Sequence, residues 1–267
     1  MALFEHLAGA TVFDLEQPRF AGMPIHPAHK PGYHYSLYRR HRDSYRPDTD
    51  GPRSGSSGIL SMMEHSGTHI DALCHQACDL TLHGDVKSET VEGSAGYRAL
   101  GVETIRPLLV RGVLIDVARW KQVERLPLHY AITADDLESA ARACGVTIGR
   151  GDVVLVRTGY GACWKEADTY LNGAGMSKGA NIWVAARGVV AVGADNAAWD
   201  EMTERDPDTN MTLFGHAHLL VRHGIYIIEN LNLEALASGR HYEFAFVGIP
   251  LKLVGATGSP IRPLALV

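Results

Sequence analysis

The feature that most narrows the possible folds is a series of apolar, β-branched runs: Gly58 to Met63, Pro107 to Val117, Asp152 to Arg157, Val189 to Gly193, Ile225 to Glu229 and Glu243 to Val254. These read as strands, with Thr11 to Leu15 as a short first one. Between them, Thr133-Ala-Asp-Asp136 opens a helix with an N-cap and an acidic first turn. Leu137, Ala140, Ala141 and Cys144 form its apolar stripe, and Gly145 stops it. A second helix is expected from about Thr212 to His223, ending at Gly224 with Leu219 and Leu220 inward. Strands and helices mixed without regular alternation predict an α/β fold, a mixed central β-sheet flanked by helices rather than a barrel.

After the first strand, Pro18, Pro24, Pro27 and Pro31 with Gly22 and Gly32 forbid regular structure. Residues 38–57 are polar and turn-rich. An extended arm over about 16–57 follows, expected to serve as a lid or a dimer contact. With 267 residues, 46% of them hydrophobic and 21% charged, the rest of the chain can bury one large core, so a single domain over 1–267 is expected. A net charge of -5 supplies no basic stripe to neutralise phosphates, which argues against nucleic acid and for a small-molecule ligand. The opening Met-Ala-Leu-Phe-Glu-His-Leu-Ala lacks a basic n-region followed by an apolar h-region, and no apolar run approaches the roughly 20 residues that span a bilayer. A cytoplasmic protein without a membrane partner is the expectation. Four irregularly placed cysteines predict reduced thiols, and Cys74 and Cys78, not in a Cys-x-x-Cys arrangement, read as packing residues.

The 14 histidines are the compositional oddity, and several crowd positions 65 to 83. In His65-Ser-Gly-Thr-His69-Ile-Asp71, the Ser-Gly-Thr continues neither helix nor strand, so a bend at Gly67 can bring two imidazoles and a carboxylate onto one cation. His nitrogen and Asp oxygen suit zinc or manganese, and three protein ligands leave positions open for water and substrate. His75 is close enough to carry a proton, and Thr68 could orient a ligand. A second set comprises His216, His218 and His223 on the expected helix and Glu229 at the end of an apolar strand. Such an acid, if buried, needs a histidine or a metal; otherwise it is a solvent-facing strand end.

The pattern His-x-Gly-Thr-His-x-Asp-x-x-x-His, complete as His65, Gly67, Thr68, His69, Asp71 and His75, resembles that of the metal-dependent cyclase-like hydrolases, which include bacterial kynurenine formamidase and isatin hydrolase. The likeness spans most of the chain: Phe13-Asp-Leu, Gly22-Met-Pro, Val154-Leu-Val-Arg-Thr-Gly159, Gly193-Ala-Asp195, His216-Ala-His-Leu-Leu, Gly224-Ile, Glu229-Asn-Leu and Gly258-Ser-Pro260 fall in the family's order. The resemblance implies a cyclase-like, swivelling β/β/α architecture. It also implies a divalent cation, manganese ahead of zinc, held by His65, His69 and Asp71, with His75 as the catalytic acid/base. His216 and Glu229 match the pair that in some members completes a second metal site sharing the aspartate, with His218 the alternative to His216.

Leu73 stands where the formamidase branch usually carries proline, and the wording Ala-Leu-Cys-His75 is more similar to the isatin hydrolase branch. The implied activity is therefore hydrolysis of the carbon-nitrogen bond of a small aromatic or cyclic amide, isatin to isatinate. The alternatives are N-formylkynurenine hydrolysis and a catalytically idle metal-binding member. A homodimer or higher homo-oligomer, with arms exchanging contacts, is also implied. Trp164, Trp183, Trp199, Tyr33, Tyr35 and Tyr45 are candidates to line the pocket, each equally suited to core or interface.

Overall fold

A computed structural model of the chain describes residues 8–267; the opening residues read above for a targeting signal lie mostly outside the described segment. The strands are β1 (Val12–Asp14), β2 (His34–Arg39), β3 (Ser57–Ser61), β4 (His69–Asp71), β5 (Leu108–Asp116), β6 (Ala131–Ile132), β7 (Val153–Arg157), β8 (Gly175–Met176), β9 (Ala191–Ala194), β10 (Tyr226–Glu229), β11 (Glu243–Gly248), β12 (Gly258–Pro260) and β13 (Leu264–Leu266). Nine of them form one mixed sheet in the order β1-β13-β11-β5-β7-β9-β10-β4-β12. Its centre, β5-β7-β9-β10, is parallel, and both flanks are antiparallel. This is the α/β mixed-sheet architecture that the run pattern predicts.

The central strands are apolar throughout because both faces of the sheet are covered. Alternation divides them between two cores. Val113, Ile115, Val154, Val156, Val192 and Ile227 face one side, while Leu114, Val153, Leu155, Ala191 and Ile228 face the other. Each Val, Leu or Ile side chain fully withdrawn from water contributes about 1.5–3 kcal/mol. On the first face lie the helices Ala134–Cys144, Lys178–Ala185 and His216–His223, the last a wide, π-type helix. Helix Ala134–Cys144 starts and stops where its sequence says. Thr133 and Asp136 form a reciprocal capping box, and Gly145 closes it in the left-handed conformation. Losing the Thr133 hydroxyl would cost about 1 kcal/mol.

Several expectations are corrected. The run Gly58 to Met63 is not a strand of the main sheet. It contributes β3 to a separate, exposed hairpin with β2, separated by two single-turn helices, His41–Ser44 and Pro47–Asp50. The arm is thus partly regular, since no proline falls within His34–Arg39 or Ser57–Ser61. Strand β11 ends at Gly248 rather than Val254 because Pro250 cannot donate to a ladder. The helix expected from about Thr212 begins at residue 214 and is of the wide type from His216 onward. Trp199 and Trp164 are buried in the core, Tyr35 and Tyr45 are exposed, and the four cysteines are unpaired, with Cys74 buried and its thiol pushed up to about 12 by loss of water. Among the described residues, no helix is long and apolar enough to cross a membrane.

Candidate functional site

Strand β4 is only three residues long, and that shortness places the chemistry. Side chains alternate, so His69 and Asp71 emerge on one face while Ile70, opposite Ile228, enters the second core. Directly across the β4–β10 ladder His69 faces Glu229, the last residue of β10. Gly67, at φ +67°, makes the bend that returns His65 beside Asp71. After Asp71 a turn closed by His75 N–H to the Ala72 carbonyl, 2.9 Å, brings His75 back over His65, with ring centroids 3.9 Å apart. From across the sheet the first residue of the wide helix, His216, completes the group.

His69 and His216 are each oriented by a contact at the ring nitrogen that faces away from the carboxylates. His69 Nδ1–H donates to the Gly67 carbonyl at 2.8 Å, so its Nε2 faces Glu229 Oε2 at 3.3 Å and Asp71 Oδ1 at 3.5 Å. His216 Nδ1–H donates to Asp200 Oδ2 at 2.9 Å, leaving Nε2 3.2 Å from Glu229 Oε1 and 3.8 Å from Asp71 Oδ2. Asp200 is itself held by the backbone N–H groups of Gly215 and His216 and by Asn181. His65 Nδ1 lies 2.8 Å from Asp71 Oδ1. Glu229 is buried, so its reading as a solvent-facing strand end is corrected. The structure also separates the two candidate helix histidines. His216 reaches Asp71, whereas His218 stacks on Phe214 and lies beside His223.

The electrostatics follow from burial and these contacts. Burial would raise the Asp71 carboxyl, but the imidazoles of His75, His65 and His69 outweigh it and hold it below the usual carboxylate range. Burial lowers His65, yet its bond to Asp71 prevails and raises it. His216 is likewise raised well above an ordinary histidine: Asp200 and Glu229 overcome its burial. His69 is lowered by burial. His75 is pushed down to about 3, first by loss of water and then by the neighbouring imidazoles. It is neutral at pH 7 and able to accept a proton.

These residues fit a divalent cation on direct structural grounds. Among the described residues, Asp71 Oδ2 and Glu229 Oε1 are buried without a hydrogen-bond partner, a costly state unless positive charge lies beside them. Ligand atoms of His65, His69 and Asp71 lie within 4.8 Å of one another, as do those of Asp71, His75 and His216. Two imidazole Nε2 atoms turned toward carboxylate oxygens give the nitrogen-and-oxygen donor set that zinc and manganese accept.

Sequence reasoning missed three contributors. Asp200 orients His216 from a loop with no local signature. Asn230 bridges the Gly67 carbonyl and the Tyr170 hydroxyl. His29, delivered by the arm turn Pro27–His29, lies over His65 with ring centroids 4.8 Å apart. Only His29 had a signal, the pair His26-Pro-Ala-His29 inside the arm. Among the described residues, the Thr68 hydroxyl makes its hydrogen bonds to backbone. Its hydroxyl donates to the Asn230 carbonyl at 2.6 Å and accepts from Gln17 N–H at 2.8 Å, tying the arm to the end of β10.

Residues 13–201, well over half of the chain, match the family model described as "Cyclase: Putative cyclase". The chain is 27% identical over 256 residues to a kynurenine formamidase of Bordetella petrii, covering 95% of this chain and 96% of the relative. A solved structure described as a novel cyclase superposes with a TM-score of 0.85 at 29% identity, covering 99% of this chain and 91% of the other. Isatin hydrolase A from Ralstonia solanacearum shares the fold with a TM-score of 0.73 at 24% identity, covering 100% and 96%.

Proposed function

The chain belongs to the cyclase family, and from that premise together with the geometry at Asp71 we propose that it is a metal-dependent hydrolase of amide carbon-nitrogen bonds. The observation that carries this reading is the convergence of His69, His216, Asp71 and Glu229, with two buried carboxylate oxygens lacking partners. His65, His69 and Asp71 would hold the cation, manganese ahead of zinc, and His216 with Glu229 would hold a second ion beside the shared aspartate. When bound, the cation supplies Lewis-acid polarisation of a carbonyl and lowers the pKa of water toward about 7.

The protein's own residues do the rest. Neutral His75, above His65, accepts the proton of the attacking water and delivers it to the departing nitrogen, so the amide opens to a carboxylate and an amine. Asp200 and Gly67 hold His216 and His69 with Nε2 inward throughout.

For the substrate we favour a cyclic, isatin-like amide. Two features support it: Leu73 in place of the formamidase proline, and a fold shared with isatin hydrolase A. The likeness to the B. petrii kynurenine formamidase supports a second reading, a linear N-formyl amide. Comparing kcat/KM for isatin and N-formylkynurenine decides between them. Metal-loaded protein that opens neither leaves a metal-binding protein without hydrolase activity. Association of copies is supported by the exposed apolar side chains of the arm hairpin, where Tyr35, Leu37, Tyr38, Ile59 and Leu60 are each at least half exposed. Light scattering tests it: a monomer at working concentration removes the homodimer proposal.

A further inference from the structure

We infer that Thr257 and Glu64 form a relay that fixes the tautomer and orientation of His65, making Thr257 a positioning residue for the cation site. This rests on the metal-site reading above. Thr257 stands immediately before β12, whose residues Gly258, Ser259 and Pro260 pair with Asp71, Ile70 and His69 of β4. Both the backbone N–H and the hydroxyl of Thr257 lie within donating distance of a single carboxylate oxygen, Glu64 Oε1, at 3.1 and 2.7 Å.

A carboxylate only accepts, so the Thr257 hydroxyl proton is committed to Glu64. What Oγ1 then presents to His65 is a lone pair, and His65 Nε2 lies 2.8 Å from it. Nε2 must therefore carry a proton and donate. The ring's other nitrogen, Nδ1, is turned to Asp71 at 2.8 Å, donating to it while the ring is protonated, and it is the one that would serve as a ligand once that proton is lost. His65 thus uses the opposite nitrogen from His69 and His216, which turn Nε2 inward. Sequence spacing could not reveal that inversion.

Position 258 completes the cradle. A β-carbon on Gly258 would stand 2.5 Å from His65 Cε1, so the ring lies against the bare backbone of β12. The ring is gripped on its edge by Thr257, on its flank by Gly258 and at Nδ1 by Asp71. Glu64, adjacent in sequence to His65, anchors the hydroxyl across a separation of 193 residues.

The test compares Thr257→Val, which keeps the shape and loses the hydroxyl, with Thr257→Ser, which keeps the hydroxyl. Affinity for Mn2+ and Zn2+ is measured by chelator competition, and the visible spectrum of the Co2+-substituted protein reports ligand geometry. T257V is expected to bind each cation about 10–100-fold more weakly with an altered Co2+ spectrum, and T257S within about threefold of wild type. Glu64→Ala, which frees the hydroxyl to turn its proton toward Nε2, is expected to weaken binding in the same direction and serves if T257V does not fold. Wild-type affinity and spectrum in T257V or in E64A would overturn the relay, as would T257S losing as much as T257V. Wild-type protein that takes up none of the three cations would instead overturn the metal reading and the relay with it.

Discussion

His216 and His218 stand two residues apart on one helix and meet opposite environments. His216 is buried among Asp200, Glu229 and Asp71, and its pKa is driven up. His218 faces Phe214 and His223; among the described residues its buried Nδ1 lacks a partner, and loss of water pushes it down to about 4. The difference teaches that histidine density does not by itself make a metal site. Buried carboxylates do, because they need positive charge, and imidazoles pinned by outer hydrogen bonds then present lone pairs to whatever supplies it.

The contrast breaks first at its carboxylate. Asp71→Asn should abolish stoichiometric cation binding and with it turnover, as read by elemental analysis and by rate. Full occupancy in that variant would sink the ligand assignment. His75→Ala should split the two properties, keeping the cation while turnover drops about 10²–10⁴-fold; near-normal turnover would remove His75 from the chemistry. Asp200→Asn sharpens the comparison from the His216 side. With its orienting partner weakened, cation affinity should fall about 10–100-fold, and an unchanged dissociation constant would contradict the outer-contact account.

The smallest effect belongs to His218, where His218→Gln should leave affinity and turnover alone. It should, however, alter acid stability. The folded protein keeps His218 neutral down to about pH 4, whereas the unfolded chain takes up a proton near 6.5. Stability from this group is therefore fully present above about pH 6.5 and is lost as pH falls toward 4. Urea unfolding at several pH values should show a shallower acid-side decline in H218Q than in wild type, and parallel curves would refute this.

Local signals explain what the sequence disclosed. The helix Ala134–Cys144 was legible because its caps and stripe lie within one window. The parallel strands were legible because burial on both faces makes them continuously apolar. His65, His69, Asp71 and His75 were legible because eleven consecutive residues contain them all. By contrast, β4, β12 and β13 are three residues long and exist only through their neighbours, so no window announces them. The run Gly58 to Met63 misled because an exposed hairpin can carry the same apolar alternation as a core strand. Helix Lys178–Ala185 went unread, and Asp200, His29 and Thr257 come from loops far from the motif and reach it by topology alone.

The account's central claim is cation-dependent amide hydrolysis. Its most direct test is elemental analysis of the purified protein combined with hydrolysis rates on isatin and N-formylkynurenine before chelation, after chelation and after restoring Mn2+ or Zn2+. The account predicts bound manganese or zinc, loss of hydrolysis on chelation and recovery when the ion is returned. Undiminished hydrolysis by metal-stripped protein, or none of either amide by the metal-loaded protein, would contradict it.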